Sequence, residues 1–294
     1  MGNKKFSEWM QQTLFVGPGL LFFSVIVIVP FLLGFYYSFT NWDGLDLDRA
    51  KWTGMDNLNR IFTNDEKFWD SLWFTLKFTV ITVIATNVLA FLLALVLARP
   101  LKSRKVLRTV FFMPNVIGGI FLGFIWQFIF TKGFYTIGEK TGWGFFELPW
   151  LGTPDTAFWG LIIVFVWQTA GYMMVIYIAA FAGLPKDLIE AAKIDGAGYG
   201  QLLKSIMIPM VMPAITICLF LTISNAFKMF DLNLTLTKGG PGTSTQSLAY
   251  NIYTEALINN KYGLGTAKAM LFFFAVSLIT VTQVWLTKRK EVEA

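Results

Sequence analysis

Residues able to do covalent chemistry are nearly absent from this sequence. Histidine does not occur, and the single cysteine, Cys218, sits inside an apolar run. Cys/His metal sites and an internal disulfide are therefore excluded, and Cys218 reads as a small packing residue. No Gly-x-x-x-x-Gly-Lys-Ser/Thr loop is present, so the chain has no glycine-cradled ATP site of its own. The apolar stretches hold no carboxylate pair or proton relay. Their only ionisable residues are Lys77, Lys228 and Lys268, each near a stretch end where the ammonium can snorkel to water. A membrane-embedded enzyme would need nucleophiles or paired acids in those stretches, and an ion-driven carrier would need a relay. What remains is recognition chemistry, by docking and by hydrogen bonding.

The docking group is the segment Glu190-Ala-Ala-Lys-Ile-Asp-Gly196, continuing to Ile206-Met-Ile-Pro209. Leu184-Pro185-Lys186-Asp187 predicts a helix start, because proline tolerates the first turn and an early carboxylate complements the helix dipole. Gly196 predicts its stop, as glycine adopts the left-handed conformation at low cost. Between them Leu184, Leu188, Ala191, Ala192 and Ile194 form an apolar stripe, with most charges elsewhere on the wheel. Such a helix, held in water beside apolar spans, is suited to docking against another protein.

The hydrogen-bonding groups lie inside apolar runs. Phe165, Gln168, Thr169 and Tyr172 follow the i, i+3, i+4, i+7 spacing of one helix face, as do Thr222, Asn225, Ala226 and Met229. Polar side chains at that depth turn toward a cavity or bond a neighbouring helix. Trp126, Gln127, Trp167 and Asn87 are weaker candidates of the same kind.

The elements that position these residues follow from composition. Of 294 residues, 55% are hydrophobic and only 14% charged, well below the ~25% charged residues of soluble domains. Six runs are long enough to span a bilayer: about 14–39, 71–98, 110–130, 157–181, 206–230 and 266–286. The first has no small-residue cleavage site after it and reads as an uncleaved helix kinked at Pro30. Trp42, Trp52, Trp69 and Trp73 read as interface anchors. One set of flanking segments (1–13, 99–109, 182–205, 287–294) carries 13 Lys/Arg in 56 residues; the other (40–70, 131–156, 231–265) carries 8 in 92. The positive-inside rule makes the first set cytoplasmic, including both termini and the 182–205 loop. The net charge of +6 thus reports topology, and the basic residues form no stripe suited to nucleic acid. The expectation is one all-α, six-helix transmembrane domain over residues 1–294; if it moves solute uphill, the energy must arrive through a partner, for which the cytoplasmic loop is the handle.

These residues resemble the permease subunits of bacterial ABC importers, in the oligosaccharide branch typified by maltose, lactose, raffinose and multiple-sugar permeases. That family's cytoplasmic signature is Glu-Ala-Ala, three residues, Gly, nine residues, Ile-x-Leu-Pro. Here it reads Glu190-Ala191-Ala192, Gly196 and Ile206-Met207-Ile208-Pro209, with Ile208 in place of leucine. Ser38 to Trp42, Gly54 to Asn57, Pro114-Asn115 and Leu236 to Pro241 look like the same branch, the last resembling its maltose-type A subunit. Some relatives carry two more N-terminal helices and a large external domain, whose roles are not carried over to this chain.

The resemblance implies a type I importer in the plasma membrane, built from this chain, a second homologous permease, two copies of a cytoplasmic ABC ATPase and an extracytoplasmic solute-binding protein. ATP and Mg would bind the ATPase, leaving this chain without a cofactor or catalytic residue. Leu188, Glu190, Ala191, Ala192, Asp195, Gly196, Ile206 and Pro209 would couple to that ATPase. Gln168, Thr169, Tyr172, Thr222 and Asn225 would line the path of an oligosaccharide passed on by alternating access. A non-sugar solute such as a glycerol phosphoester is the alternative, with Lys228 as its cation.

Overall fold

The computed structural model describes residues 2–46, 48 and 50–289, with side chains described at residue 10 and from residue 13 onward within that range. Helix α1 (Gly2–Phe23) passes through a π-helical turn at Ser24–Ile28 into α2 (Val29–Tyr37). The turn lies just ahead of Pro30, which has no N–H to donate to the preceding turn. Next come α3 (Asp56–Asn64) and the 32-residue α4 (Glu66–Leu97). The third apolar run is divided between α5 (Arg104–Val116) and α6 (Gly119–Phe128), the latter continuing through a π turn into α7 (Phe134–Thr141). Ile117 and Gly118, both extended, make the break. A short α8 (Gly144–Glu147) leads to α9 (Pro154–Ala182). Then follow α10 (Lys186–Ile194), α11 (Tyr199–Leu202), α12 (Ile208–Met210), α13 (Met212–Phe227), α14 (Leu248–Tyr253) and α15 (Tyr262–Lys288).

Among the described residues five helices are long and apolar enough to cross a membrane: 13–37, 66–97, 119–141, 154–182 and 262–288. A sixth span is a broken one, in which residues 199–210 and 212–227 meet at 69° around Val211. Pro209 and Pro213 flank that bend, each removing a helical donor. The result is a six-span all-α membrane fold.

The described chain divides into two compact units. The larger, Glu66–Asn251 with the chain from Phe274, is built around α4, α9 and α13, with α5 packed on α9. Gly171 permits that packing, because a Cβ there would collide with the Phe111 carbonyl. Helix α9 starts at a capping box: the Thr153 hydroxyl accepts from Thr156 N at 3.3 Å, and Thr156 Oγ1 accepts from Thr153 N at 3.3 Å. One buried cluster, near the start of α4 and α9, is rich in aromatic rings, among them Phe74, Phe78, Phe158 and Phe165. The other, toward their ends, includes Ala90, Met173, Tyr177 and Cys218, which is fully buried there.

The smaller unit comprises the described chain up to Asp65 together with Ile252–Phe273. Its residues 13–37 are apolar and exposed on nearly every side, as a helix surrounded by lipid or partner helices is. The 38–57 segment is fastened by Asn57, whose amide donates to Ser38 O at 2.9 Å and Thr40 O at 2.8 Å. Lys268 overturns the snorkelling expectation. It is fully buried, with Nζ 2.7 Å from Asp65 Oδ2 and 3.3 Å from Glu255 Oε2, while Lys261 Nζ lies 3.1 Å from Glu255 Oε1. Burial pushes the Glu255 carboxyl up, but the Lys268 and Lys261 ammonium groups outweigh it and hold the carboxyl below its usual range.

Candidate functional site

The segment linking α9 to α13 forms the first half of the site. Pro185 takes the N-cap of α10, Asp187 lies in the first turn and Lys193 in the last, matching the helix dipole at both ends. The end is a Schellman motif: Gly196 has φ +80°, its N–H donates to Lys193 O at 3.1 Å, and Ala197 N–H donates to Ala192 O at 2.9 Å. Glycine is therefore needed at position 196 for conformation. No residue of α10 is fully buried. Leu184 just before it is buried and Ile189 packs on the core, but Leu188 and Ile194 are 49% and 85% exposed, with Ala191 exposed between them. A nine-residue helix with so little burial has little stability alone, and its outward apolar face is shaped to meet another surface.

Behind that helix lies a hollow of about 240 Å³, where Ala192, Asp195, Gly196 and Ile206 converge with Gln201 and Ser205. Leu188, Glu190 and Ala191 lie on the exposed side of α10, and Pro209 sits half-buried in α12.

The second half of the site is a cavity of about 260 Å³ where α5, α6, α9 and the end of α13 meet. Asn115, Gln168, Thr169, Asn225, Lys228 and Asp231 supply its polar lining, with Phe165, Met229 and Phe230 among its apolar walls. The break before α6 contributes directly: Gln168 Nε2 donates to the free Ile117 carbonyl at 3.3 Å, which holds the amide at the cavity wall. Thr169 Oγ1 donates to Phe165 O at 2.7 Å and lies 3.3 Å from Thr86 Oγ1.

Of the five path residues expected from spacing, Gln168, Thr169 and Asn225 line this cavity. Thr222 is fully buried, donating to Cys218 O at 2.7 Å and accepting from Asn87 Nδ2 at 3.3 Å. Tyr177 donates to Asn87 Oδ1 at 2.8 Å, completing a network that joins α4, α9 and α13. Tyr172 stands 37% exposed beside Phe112, away from the cavity lining. Trp126 and Trp167 pack edge to face at 5.4 Å outside it, and Gln127 is half-buried and also outside the lining. Asn115 and Asp231 were missed as lining residues. In the sequence Asn115 stands out only as part of the Pro114-Asn115 pair, and Asp231 falls in the flanking segment 231–265.

The lining mixes amide, hydroxyl and ammonium donors with carbonyl and carboxylate acceptors, next to apolar walls. Such a surface can exchange hydrogen bonds with a polyhydroxylated solute.

The comparisons with known proteins agree with this geometry. Residues 86–292 match the family described as binding-protein-dependent transport system inner membrane component. The chain is 44% identical over 290 residues to a probable starch degradation products transport system permease protein of Thermoanaerobacterium thermosulfurigenes, covering 99% of this chain and 98% of that one. A multiple sugar-binding transport system permease protein of Streptococcus mutans is 31% identical over 290 residues, covering 99% of each chain. Among solved structures, a chain of a bacterial ABC transporter that imports the acidic polysaccharide alginate superposes with a TM-score of 0.83. It is 20% identical, with 97% of this chain and 99% of that one covered, and so establishes the shared fold. With the family match spanning most of its length and two curated relatives aligned end to end, the chain belongs to the binding-protein-dependent transport system inner membrane components, the membrane-spanning permease subunits of ABC importers.

Proposed function

We propose that this permease passes a neutral oligosaccharide from an extracytoplasmic binding protein across the plasma membrane, driven by a separate ATPase docked on α10. The observation that carries the reading is the polar cavity lined by Asn115, Gln168, Thr169 and Asn225 in the same unit as the exposed coupling helix. Sugar transport by relatives matched over nearly the whole chain supports the cargo class. A glycerol phosphoester would favour an excess of cations. Lys228 shares the cavity with Asp231, so the lining carries no net positive charge.

In this reading a second homologous permease closes the cavity on its open side, and two ATPase copies bind ATP and Mg. The outward face of Leu188, Ala191 and Ile194, with Glu190 at its edge, seats in one ATPase. Closure of the ATPases moves α10 as a rigid body, and the Schellman turn at Gly196 transmits that motion to the broken fifth span. The cavity then alternates between the two sides of the membrane.

The test is uptake by the assembled transporter in proteoliposomes, screened over oligosaccharides and glycerol phosphoesters with the cognate binding protein. Oligosaccharides are taken up, and Asn225→Ala lowers uptake by about tenfold, the effect of losing one or two buried hydrogen bonds, while membrane insertion is unchanged. Uptake of phosphoesters alone, or full oligosaccharide uptake by Asn225→Ala, contradicts the reading.

A further inference from the structure

A second cavity, of about 330 Å³, lies at the ends of α4 and α9 farthest from the coupling helix. Asp70, Trp73, Lys77, Asp155, Thr243 and Ser244 line it. With 29 residues in α9, it lies about 40 Å from α10 along the helix axis. Buried Phe74 and Phe158, 5.8 Å apart, form its floor as part of the aromatic cluster. Phe78 and Phe165 continue that cluster toward the translocation cavity, so the two spaces are separated by packed rings.

The frame around this cavity is held by several bonds. The loop bearing Thr243 and Ser244 is fixed by Asn233, which donates to Thr245 O at 2.8 Å and accepts from Ser247 N at 2.9 Å. It is tied to α4 where Leu248 N donates to Thr75 Oγ1 at 2.8 Å. Lys77 Nζ sits 4.6 Å over the Phe158 ring, which holds the ammonium at the cavity. The Ser244 hydroxyl is spent on Pro241 O at 2.8 Å, but the other polar groups, all of them exposed, are not. Among the described residues Asp70, Asp155 and Lys77 form no ion pair, and the Thr243 hydroxyl makes no hydrogen bond. Trp73 is 70% exposed beside them.

Each residue has a local use: Asp155 suits the start of α9, and an exposed tryptophan anchors a span at the membrane surface. Neither use explains why two unpaired carboxylates, an ammonium, a free hydroxyl and an indole converge on one pre-formed space. We propose that this cavity binds one ring of a neutral saccharide, as an accessory site separate from the translocation cavity. The carboxylates accept from ring hydroxyls, Lys77 and Thr243 donate to ring oxygens, and the indole covers an apolar C–H face. Two carboxylates against one ammonium disfavour phosphate or sulfate. The proposal rests on the saccharide reading of transport.

The test uses the full chain with its co-purifying partner subunits in phosphatidylcholine nanodiscs free of glycolipid, without binding protein or ATP. Maltotriose is titrated by saturation-transfer NMR. Trp73→Ala, and separately Asp70→Asn with Asp155→Asn, weaken binding about tenfold or more, as loss of a tryptophan anchor does. Inorganic phosphate does not compete. Unchanged affinity in both altered proteins overturns the proposal and leaves Trp73 as a membrane anchor. Loss of binding only in Asn225→Ala also overturns it. If the same transporter imports maltotriose with binding protein and ATP, the accessory site alone has failed. If no saccharide is imported or bound, both readings fall.

Discussion

Lys268 shows what a single position in an apolar run conceals. Its nearness to the start of α15 predicts snorkelling, yet the ammonium is buried against Asp65 and Glu255. No local pattern could announce Asp65, which lies far earlier in the chain. The pairing has a pH signature. Because the folded-state Glu255 carboxyl is held below its usual range, its stabilisation is fully present above the unfolded value of about 4.3 and is lost as pH falls through the folded one. Thermal unfolding in detergent is therefore flat on this account from pH 8 to 5 and declines below about pH 4. Glu255→Gln shows a smaller acid-side decline; an identical pH profile would remove the carboxylate from the cause. The polar residues of the site were legible to different degrees for a related reason. Helical spacing put Thr222 and Asn225 on one face, but α4 presses on the first while the second lies a turn further on, where the cavity opens. Spacing reports a face, and packing decides which part of that face stays open.

At the level of elements, α10 was the most legible part of the chain. Its start at Pro185, its charges and its glycine stop are all local signals, and the Schellman bonds realise them. Gly196→Val forces a β-branched residue to φ near +80°, at a cost of about 1–3 kcal/mol. Proteolysis of the 182–205 loop in the assembled transporter is expected to speed up and ATPase retention to fall, with the spans still inserted. An unchanged digestion pattern would show that the turn is not under conformational demand. The third and fifth spans were less legible. Hydrophobicity fixes that a segment enters lipid, whereas the break at Ile117 and Gly118 and the bend at Val211 depend on where backbone bonds are lost to proline and neighbouring helices. Those interruptions matter, since the free Ile117 carbonyl is what holds Gln168 at the cavity.

Across the whole molecule two separated features stand out: a polar cavity among spans and an exposed helix with an apolar outer face. Composition and charge asymmetry made the membrane class and topology readable, because lipid imposes them on every stretch of the chain. The cavity was not readable as a volume, since it is enclosed by helix ends that meet only in the fold. The central claim is that solute movement is driven through α10. The most direct measurement is simultaneous oligosaccharide uptake and ATP hydrolysis by the assembled transporter in proteoliposomes, comparing the parent chain with Glu190→Lys. The account predicts that uptake falls at least tenfold and that hydrolysis no longer responds to loaded binding protein, although all six spans remain inserted. Uptake and coupled hydrolysis at the parental rate would contradict it.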